Sequence, residues 1–272
     1  MDRIENMNIV LTGASSGIGL EVLKILSKRR GNKILAVSRH AEEKLAGFAE
    51  NVTPVNIDCS TEEGIDRLFD IAEEKFRKID LFYSNHGFPY FEAYDYEDWD
   101  RVEKIFTANT ISPIYIYAKY VRHLNGRDGH LAFTISAIDQ MAMPGYALYS
   151  ASKFGLEGFQ QAIRLEKPKN MKFTCLYPVA TDTNFFNVAA DGAKFEKPFP
   201  VQLPTLVAEK MVVGLDLGQK SVFPCALFAV GKALMTALPF VRNTYWYLER
   251  NKLRRFLKIQ DKLKATVRPW KI

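Results

Sequence analysis

Two residues in the second half of the chain have the types and the spacing for proton transfer. Tyr149 and Lys153 are four residues apart in a segment predicted to be helical over about 147–166, so their side chains share one helix face. A free tyrosine has a pKa of about 10, too high for easy proton exchange at neutral pH, but a nearby ammonium favours the phenolate. The pair could therefore exchange a proton with a ligand. A core tyrosine and a solvated lysine would show the same spacing.

A glycine-rich turn near the N-terminus has the pattern of a phosphate site. Residues 12–19 read Thr-Gly-Ala-Ser-Ser-Gly-Ile-Gly and join a predicted strand, Asn8–Thr12, to a predicted helix. Gly13 permits a tight turn, Gly17 lets the backbone approach a pyrophosphate, and Gly19 lets the helix pack closely on the sheet. The helix N-terminus adds free N–H groups. A glycine turn without a ligand is the alternative, but the strand–turn–helix context is what a dinucleotide site requires.

These groups need a scaffold, and the predicted elements supply a parallel sheet. Short apolar strands alternate with helices of about 10–20 residues, which indicates an α/β fold with a doubly wound parallel sheet of about seven strands and helices on both faces. The predicted strands are Asn8–Thr12, Lys33–Ser38, Val52–Asp58, Leu81–Ser84, His130–Ser136, Met171–Tyr177 and Ser221–Phe223. Ligands bind beyond the carboxyl ends of such strands. The small, polar or chain-turning residues at six of those ends are Gly13, Ser38, Asp58, Asn85, Ser136 and Pro178.

Taken together, these motifs resemble the short-chain dehydrogenase/reductase family, whose fold is Rossmann-like. The resemblance covers roughly residues 7–225 and includes Thr-Gly-x3-Gly-x-Gly, Asn85-x-Gly87, Asn109, Ser136, Tyr149-x3-Lys153 and Pro178 to Thr183, in the family's order and spacing. It implies four catalytic residues, Asn109, Ser136, Tyr149 and Lys153. It implies cofactor contacts at Gly13, Ser15, Gly17, Ile18, Gly19, Ser38, Arg39, Asp58, Asn85, Gly87, Tyr149, Lys153, Pro178 and Thr183.

The resemblance also assigns roles. Ser136 and Tyr149 would stabilise the negative charge that grows on a substrate carbonyl oxygen, and Tyr149 would deliver the proton. Lys153 would lower the pKa of Tyr149 and hold the nicotinamide ribose. Asn109 would kink its helix and hold a water that links Lys153 to solvent.

The end of the second strand favours NADP(H) over NAD(H). It reads Ser38-Arg39, without the acid that would bind an unphosphorylated ribose, and Arg39 can offer a guanidinium fork to a 2′-phosphate. A solvated surface arginine is the alternative. Asp58 resembles the acid that hydrogen-bonds the adenine, and an N-terminal cap or turn acid before the following helix is the alternative, with nearly equal weight.

Two positions depart from the family pattern. His86 stands in Asn85-His86-Gly87 where the family has alanine, and its role is open. Val179 follows Pro178 where the family has glycine, and its side chain could narrow the pocket beside Thr183.

Composition places the protein in a reducing compartment. Hydrophobic residues make up 47% and charged residues 25% of the 272 residues, which is average for a globular protein. The three cysteines and four histidines are scattered, without the spacing of a disulfide framework or a metal site. No signal peptide is evident at the N-terminus. We therefore expect a cytoplasmic protein that uses no metal.

The C-terminal part carries the positive charge. Residues 242–272 hold ten Lys/Arg and two Asp/Glu, so this stretch has a net charge of +8 and residues 1–241 sum to −2. We divide the chain into a catalytic domain at 1–225, with an aromatic substrate lid at 184–204, and a helical extension at 226–272. The segment 221–241 is apolar but is interrupted by Lys232 and two prolines. Family members similar to 3-ketodihydrosphingosine reductase also carry apolar C-terminal extensions.

The extension ends in a predicted basic amphipathic helix. Arg250, Arg254, Lys258 and Lys262 recur every four residues, whereas Leu253, Phe256, Leu257, Ile259 and Leu263 gather on the other side. Such a helix is typical of peripheral contact with a membrane surface. A helix packed on the enzyme, or a dimer contact, would show the same pattern.

The sequence therefore predicts an NADPH-dependent reduction of a ketone or aldehyde on an apolar, lipid-like substrate. The same residues would serve an alcohol or steroid dehydrogenase that runs in the oxidative direction, and a cofactor-binding regulator without turnover is a further alternative. A nucleic-acid partner is not expected, because the basic charge lies on one helix. The resemblance implies a homodimer or homotetramer.

Overall fold

The protein forms a seven-stranded parallel sheet covered by helices on both faces. The computed structural model describes residues 3–189 and 196–266, with side chains at all of these positions except 188, 229, 232 and 261–266. The strands are β1 Asn8–Thr12, β2 Lys33–Ser38, β3 Val52–Asn56, β4 Leu81–Ser84, β5 Gly129–Thr134, β6 Met171–Leu176, β7 Ala180–Thr181, β8 Val201–Gln202 and β9 Ser221–Val222. The helices are α1 Gly17–Leu26, α2 Ala41–Lys44, α3 Glu62–Phe76, α4 Trp99–Phe106, α5 Ser112–Leu124, α6 Ala147–Glu166, α7 Phe185–Ala189, α8 Pro204–Asp216, α9 Ala226–Ala237 and α10 Pro239–Thr266.

The strand order is that of a doubly wound fold and confirms the predicted class. It runs β3-β2-β1-β4-β5-β6-β9, with all neighbours parallel, while β7 and β8 pair separately. The chain order reverses between β1 and β4. This reversal opens a crevice at the carboxyl ends of those two strands, where ligands bind in folds of this kind.

Side chains alternate across the sheet and build one core on each face. On β1, Val10 packs into the cluster beneath α3, α5 and α6, whereas Ile9 and Leu11 face the cluster beneath α1 and α8. All three side chains are fully buried. Burial of each such side chain contributes about 1.5–3 kcal/mol, so both layers hold the strand ends in place.

The sequence pattern predicts a charged helix at Glu42–Ala49 and a long helix at Trp99–His123, and the structure differs at both. The helix predicted at Glu42–Ala49 ends at Lys44, because the chain turns at Gly47 with a left-handed φ of 68°. The long helix predicted at Trp99–His123 contains a π-helical turn at Thr107–Ile111, between α4 and α5. A π-turn adds one residue to the helical repeat and is invisible to apolar periodicity.

The C-terminal helix α10 packs on the α/β part of the protein. Phe256 is buried, with its ring centroid 5.0 Å from that of Phe91. The Trp246 indole N–H donates a hydrogen bond to the Ala142 carbonyl oxygen at 2.9 Å. Ile259 was predicted on the apolar side but is 52% exposed. Within the two described ranges, no helix is both long and apolar enough to cross a membrane.

Candidate active site

The glycine turn lies at the carboxyl end of β1 and leads into the N-terminus of α1. Gly13 and Gly17 adopt left-handed φ values of 65° and 54°, which side chains rarely tolerate. A Cβ atom on Gly19 would overlap the Gly13 carbonyl oxygen, so α1 can begin this close to the turn only with glycine there. The Asn85 side chain donates a hydrogen bond to the same carbonyl at 3.3 Å and ties the turn to the end of β4.

One large cavity runs along the carboxyl edge of the sheet. Its volume is about 1420 Å³, larger than the roughly 300–1,000 Å³ of a pocket for one small molecule. Most of the predicted site residues line it: Gly13, Ser15, Gly17, Ile18, Ser38, Arg39, Asp58, Asn85, Gly87, Ser136, Tyr149, Lys153, Pro178 and Thr183. Gly19 and Asn109 do not line it. Gly19 packs against the Gly13 carbonyl as the spacing predicts, and its contact with a cofactor stays a prediction.

Tyr149 and Lys153 lie side by side in this cavity on α6. The Lys153 ammonium nitrogen is 5.9 Å from the centroid of the Tyr149 ring and donates a hydrogen bond to the Thr134 carbonyl oxygen at 3.1 Å. Both side chains are more than 90% buried. The sequence therefore placed the pair correctly on one helix face.

Burial dominates the titration of both groups. It lowers the pKa of Lys153 to about 8, against the opposing attraction of Asp139. Burial also raises the pKa of Tyr149, with a smaller contribution in the same direction from Asp139, although the hydrogen-bonding interaction with Ser136 acts in the opposite sense. The protein groups alone therefore raise the pKa of Tyr149, mainly through desolvation of the phenolate, where the sequence predicted that Lys153 would lower it.

Ser136 follows β5 and presents its hydroxyl to the same cavity. Its oxygen accepts a hydrogen bond from the Ile138 N–H at 3.2 Å and so begins the short 3-10 turn Ala137–Gln140. The hydroxyl hydrogen is not used by this bond. It is free to be donated to the Tyr149 oxygen or to a ligand oxygen.

Asn109 occupies the π-turn, and its side chain links the Phe88 backbone, in the loop after β4, to Ser152 of α6. Its amide oxygen accepts from the Phe88 N–H at 3.0 Å, and its amide nitrogen donates to the Phe88 carbonyl at 2.9 Å and to the Ser152 hydroxyl at 3.1 Å. A Cβ on Gly87 would lie 2.8 Å from the Asn109 amide oxygen. The side chain thus positions the loop after β4 against α6, and the water-holding role stays a prediction.

The far end of the cavity is polar and basic. Arg39 lines it, together with His40 and Lys44, which the sequence had not singled out. Lys44 closes α2, a helix that brings its charge back towards the end of β2. Two cations therefore border the pocket where β2 ends.

Asp58 lines the same end and accepts hydrogen bonds from the Ser60 N–H at 2.9 Å and the Ser60 hydroxyl at 2.6 Å. Burial acts to raise the pKa of Asp58, but the Ser60 hydrogen bonds and the charge of Arg39 outweigh it, and the pKa is lowered. The N-cap of α3 is Thr61, whose hydroxyl accepts from the Gly64 N–H at 3.0 Å. Thr61 is therefore the helix cap, and the two Ser60 bonds make Asp58 the acid of the preceding turn, the other half of the alternative that the sequence allowed.

His86, which follows β4 and lines the cavity, links the end of β1 to the N-terminus of α5. Ser112 donates its proton to the Cys59 carbonyl oxygen at 2.5 Å, so the His86 Nε2, 2.8 Å from the Ser112 oxygen, must be the protonated nitrogen. The Nδ1 atom then accepts from the Thr12 hydroxyl at 2.8 Å. Burial, with a smaller contribution from Lys153, lowers the pKa of His86 to about 4, so the ring is neutral at pH 7. This role needs partners from distant segments and gives no sequence signal.

The wall near Tyr149 is apolar and aromatic. The Phe185 ring lies 5.7 Å from the Tyr149 ring in a T-shaped contact. Residues of this wall that the sequence did not single out as site residues are Phe88, Tyr90, Ile138, Met141, Met143, Tyr146, Phe228 and Met235. Phe195, which was assigned to the lid, lies outside the described residues.

Thr183 lies across the turn from this wall, in contact distance of Gly17. A Cβ on Gly17 would lie 3.2 Å from the Thr183 methyl carbon. The neighbouring Val179 also lines the cavity. Replacement of the family's glycine by valine therefore has not removed Thr183 from the site.

Comparisons with known proteins agree with this arrangement. A sequence model described as short chain dehydrogenase matches residues 7–193. The bovine 3-ketodihydrosphingosine reductase is 27% identical over 191 residues, which cover 66% of this chain and 58% of that protein. The zebrafish 3-dehydrosphinganine reductase is 26% identical over 196 residues, which cover 68% of this chain and 59% of that protein. The matched region thus spans less than two thirds of either relative.

A solved structure of a short chain dehydrogenase from Burkholderia cenocepacia, in complex with NADP, superposes with a TM-score of 0.75. The alignment covers 89% of this chain and 98% of that one at 21% identity. At this identity the likeness speaks for the fold alone.

Proposed function

The chain belongs to the short chain dehydrogenase family, and from this premise we propose that it is an NADPH-dependent reductase of an apolar ketone or aldehyde. The observation that carries the proposal is the placement of Tyr149, Ser136 and Lys153 in one cavity with the glycine turn. A buried phenol, a hydroxyl and an ammonium in a common pocket form a proton-donating site.

The residues present fit a dinucleotide. The turn lies at an α-helix N-terminus and admits no side chain at Gly19, and Gly17 faces the cavity without a Cβ. The cavity has room for a cofactor and a substrate together. NADPH, when bound, supplies a hydride to the carbonyl carbon.

We assign the proton to Tyr149. As the carbonyl oxygen gains negative charge, the hydroxyls of Tyr149 and Ser136 hydrogen-bond to it, and the Tyr149 proton passes to the oxygen. Burial raises the pKa of Tyr149, which keeps the phenol protonated at neutral pH. This supports the direction of reduction, where the residue must begin as a proton donor.

We assign a supporting role to Lys153. Because the pKa of Lys153 is lowered to about 8, its side chain is charged in most molecules at pH 7. One of its three N–H groups is bound to the Thr134 carbonyl. The others can hold ribose hydroxyls and stabilise the phenolate that forms when Tyr149 loses its proton.

The substrate end of the cavity supports an apolar substrate, and a series of ketones tests the proposal. We expect NADPH oxidation with linear 2-ketones, followed by absorbance, to give kcat/KM values that rise about fourfold per added CH2, because each buried CH2 contributes about 0.8 kcal/mol. The rise should end when the cavity is filled. Tight NADPH binding without turnover of any ketone or aldehyde in the series would contradict the proposal and favour a regulator.

We infer a preference for NADPH from Arg39 and Lys44. An Arg39→Asp substitution should raise the Kd for NADPH about 10–100-fold, since a hydrogen bond to a charged group contributes about 1.5–3 kcal/mol, and should leave the Kd for NADH unchanged or lower. Fluorescence titration of both nucleotides measures this. The matched control is Arg67→Asp on the exposed side of α3. Equal losses for NADPH and NADH would contradict recognition of the 2′-phosphate.

A further inference from the structure

The helix α9 presents an apolar face to solvent. Leu227, Val230, Leu234 and Leu238 recur at spacings of three and four residues, so they lie on one side of the helix. Each of these four side chains is 40% exposed or more, and Val230 reaches 68%. Among the described side chains of α9, none is buried.

Neighbouring segments extend this face. Phe199, before β8, and Phe240, at the start of α10, are each 65% exposed, and Leu248 is 54% exposed. The Tyr245 hydroxyl donates a hydrogen bond to the Phe199 carbonyl at 2.8 Å, which joins the loop to α10. We call the seven residues the portal surface: Phe199, Leu227, Val230, Leu234, Leu238, Phe240 and Leu248. An apolar area of this kind marks an interaction site.

The portal surface adjoins the candidate active-site cavity. Phe199, Leu227, Phe240 and Leu248 are exposed and also line the cavity. On the inner side of α9, Phe228 and Met235 line it as well. A molecule that leaves an apolar phase at this surface would therefore enter the cavity without crossing water.

We propose that the portal surface docks on an anionic lipid bilayer and that the carbonyl substrate enters the cavity directly from the lipid. This inference rests on the proposed function, because it names the source of the apolar substrate. The helix would lie on the membrane rather than span it, with its apolar side in the headgroup region.

The charges around the portal surface favour binding to an anionic bilayer. The segment 221–248 contains Lys232 and Arg242 and no Asp or Glu, and the segment 199–206 contains no charged residue. On α10, Arg254 and Lys258 are exposed. They lie on the same side of the helix as Phe240 and Tyr247, since positions 240, 247, 254 and 258 follow one another at intervals of seven, seven and four residues. Basic residues beside apolar ones match a surface of anionic headgroups.

The same charges disfavour a second copy of the chain. A two-fold contact places one patch against its own copy, so the basic residues beside the portal surface would meet like charges. The apolar side of α10, on which the sequence analysis based a membrane contact at 242–272, is partly used by Phe256 in packing on the body. The membrane-facing apolar residues are therefore those of α9 and its neighbours.

Vesicle flotation of the full chain tests this inference. We expect binding to vesicles of phosphatidylcholine with about 30% phosphatidylserine, weakened by high salt, and binding reduced at least tenfold by the double substitution Val230→Glu and Leu234→Glu. Neither residue lines the cavity. The matched control is Leu165→Glu, at a leucine that is 91% exposed near the end of α6, and it should bind as the unmodified chain does.

Activity measurements separate this inference from the proposed function. With a long-chain ketone in vesicles, the double variant should lose at least tenfold in kcat/KM, whereas reduction of a short soluble ketone should stay within twofold. Unchanged flotation of the double variant would overturn the docking. So would an unmodified chain that does not float and instead forms a dimer, if the double substitution dissociates that dimer. Flotation without turnover of the soluble ketone would leave the docking standing and remove the proposed function.

Discussion

Replacement of Tyr149 by phenylalanine should lower kcat for ketone reduction by about 10²–10⁴-fold, the usual contribution of a positioned general acid. The substitution removes one oxygen and leaves the ring in its contact with Phe185. The Kd for NADPH should stay within about twofold, because Lys153 and the glycine turn keep their positions. Single-turnover absorbance at saturating NADPH measures the rate, and fluorescence titration measures the affinity.

The control for this variant is Tyr117→Phe. Tyr117 lies on α5, packs against Phe159 and does not line the cavity, so loss of its hydroxyl should change kcat less than twofold. A Tyr149→Phe enzyme with kcat within tenfold of the unmodified chain would remove this residue from the proton transfer. A parallel loss of NADPH affinity would instead indicate that the hydroxyl organises the cofactor pocket.

The sheet and the common placement of most predicted site residues could be predicted because their signals are local. A glycine turn between a strand and a helix, and polar residues at successive strand ends, specify positions along one edge once the strands are parallel. The rest of the lining shows the limit. Phe88 and Met143 also line the cavity, but no local motif marks them.

His86 and Lys44 could not be assigned from sequence for a different reason. The partners of His86, Thr12 and Ser112, come from β1 and α5, and only the folded sheet brings them together. Lys44 is the last residue of α2 and lines the cavity, whereas a helix to residue 49 was expected. Contacts between distant segments, and the ends of short helices, carry little periodic signal.

The destination of the C-terminal helix was also ambiguous. An amphipathic pattern indicates that the apolar side of a helix is buried, but it does not show whether lipid or protein buries it. In the structure, Phe256 joins the cluster that contains Tyr90, Phe91 and Tyr149. The extension therefore packs in the same cluster as Tyr149, although 165 residues separate Phe256 from Phe91.

This packing predicts a large effect of Phe256→Ala. Phe256 is 3% exposed, and truncation of a buried phenylalanine lowers the free energy of unfolding by about 3–5 kcal/mol. Urea denaturation followed by circular dichroism measures the change. Because the cavity left behind adjoins the Tyr149 cluster, we also expect kcat/KM for ketones to fall, and this loss should exceed any change in NADPH affinity.

The matched control lies one turn away on the same helix. Ile259 is 52% exposed, so Ile259→Ala should change the free energy of unfolding by less than about 0.5 kcal/mol. These measurements are made without lipid. They therefore show whether the apolar side of α10 is buried by protein or needs a bilayer. If only a bilayer orders this helix, both substitutions should change the free energy of unfolding by equally small amounts. If the helix packs on the rest of the protein, only Phe256→Ala should lower the free energy of unfolding. The basic residues of the helix then face solvent beside the portal surface.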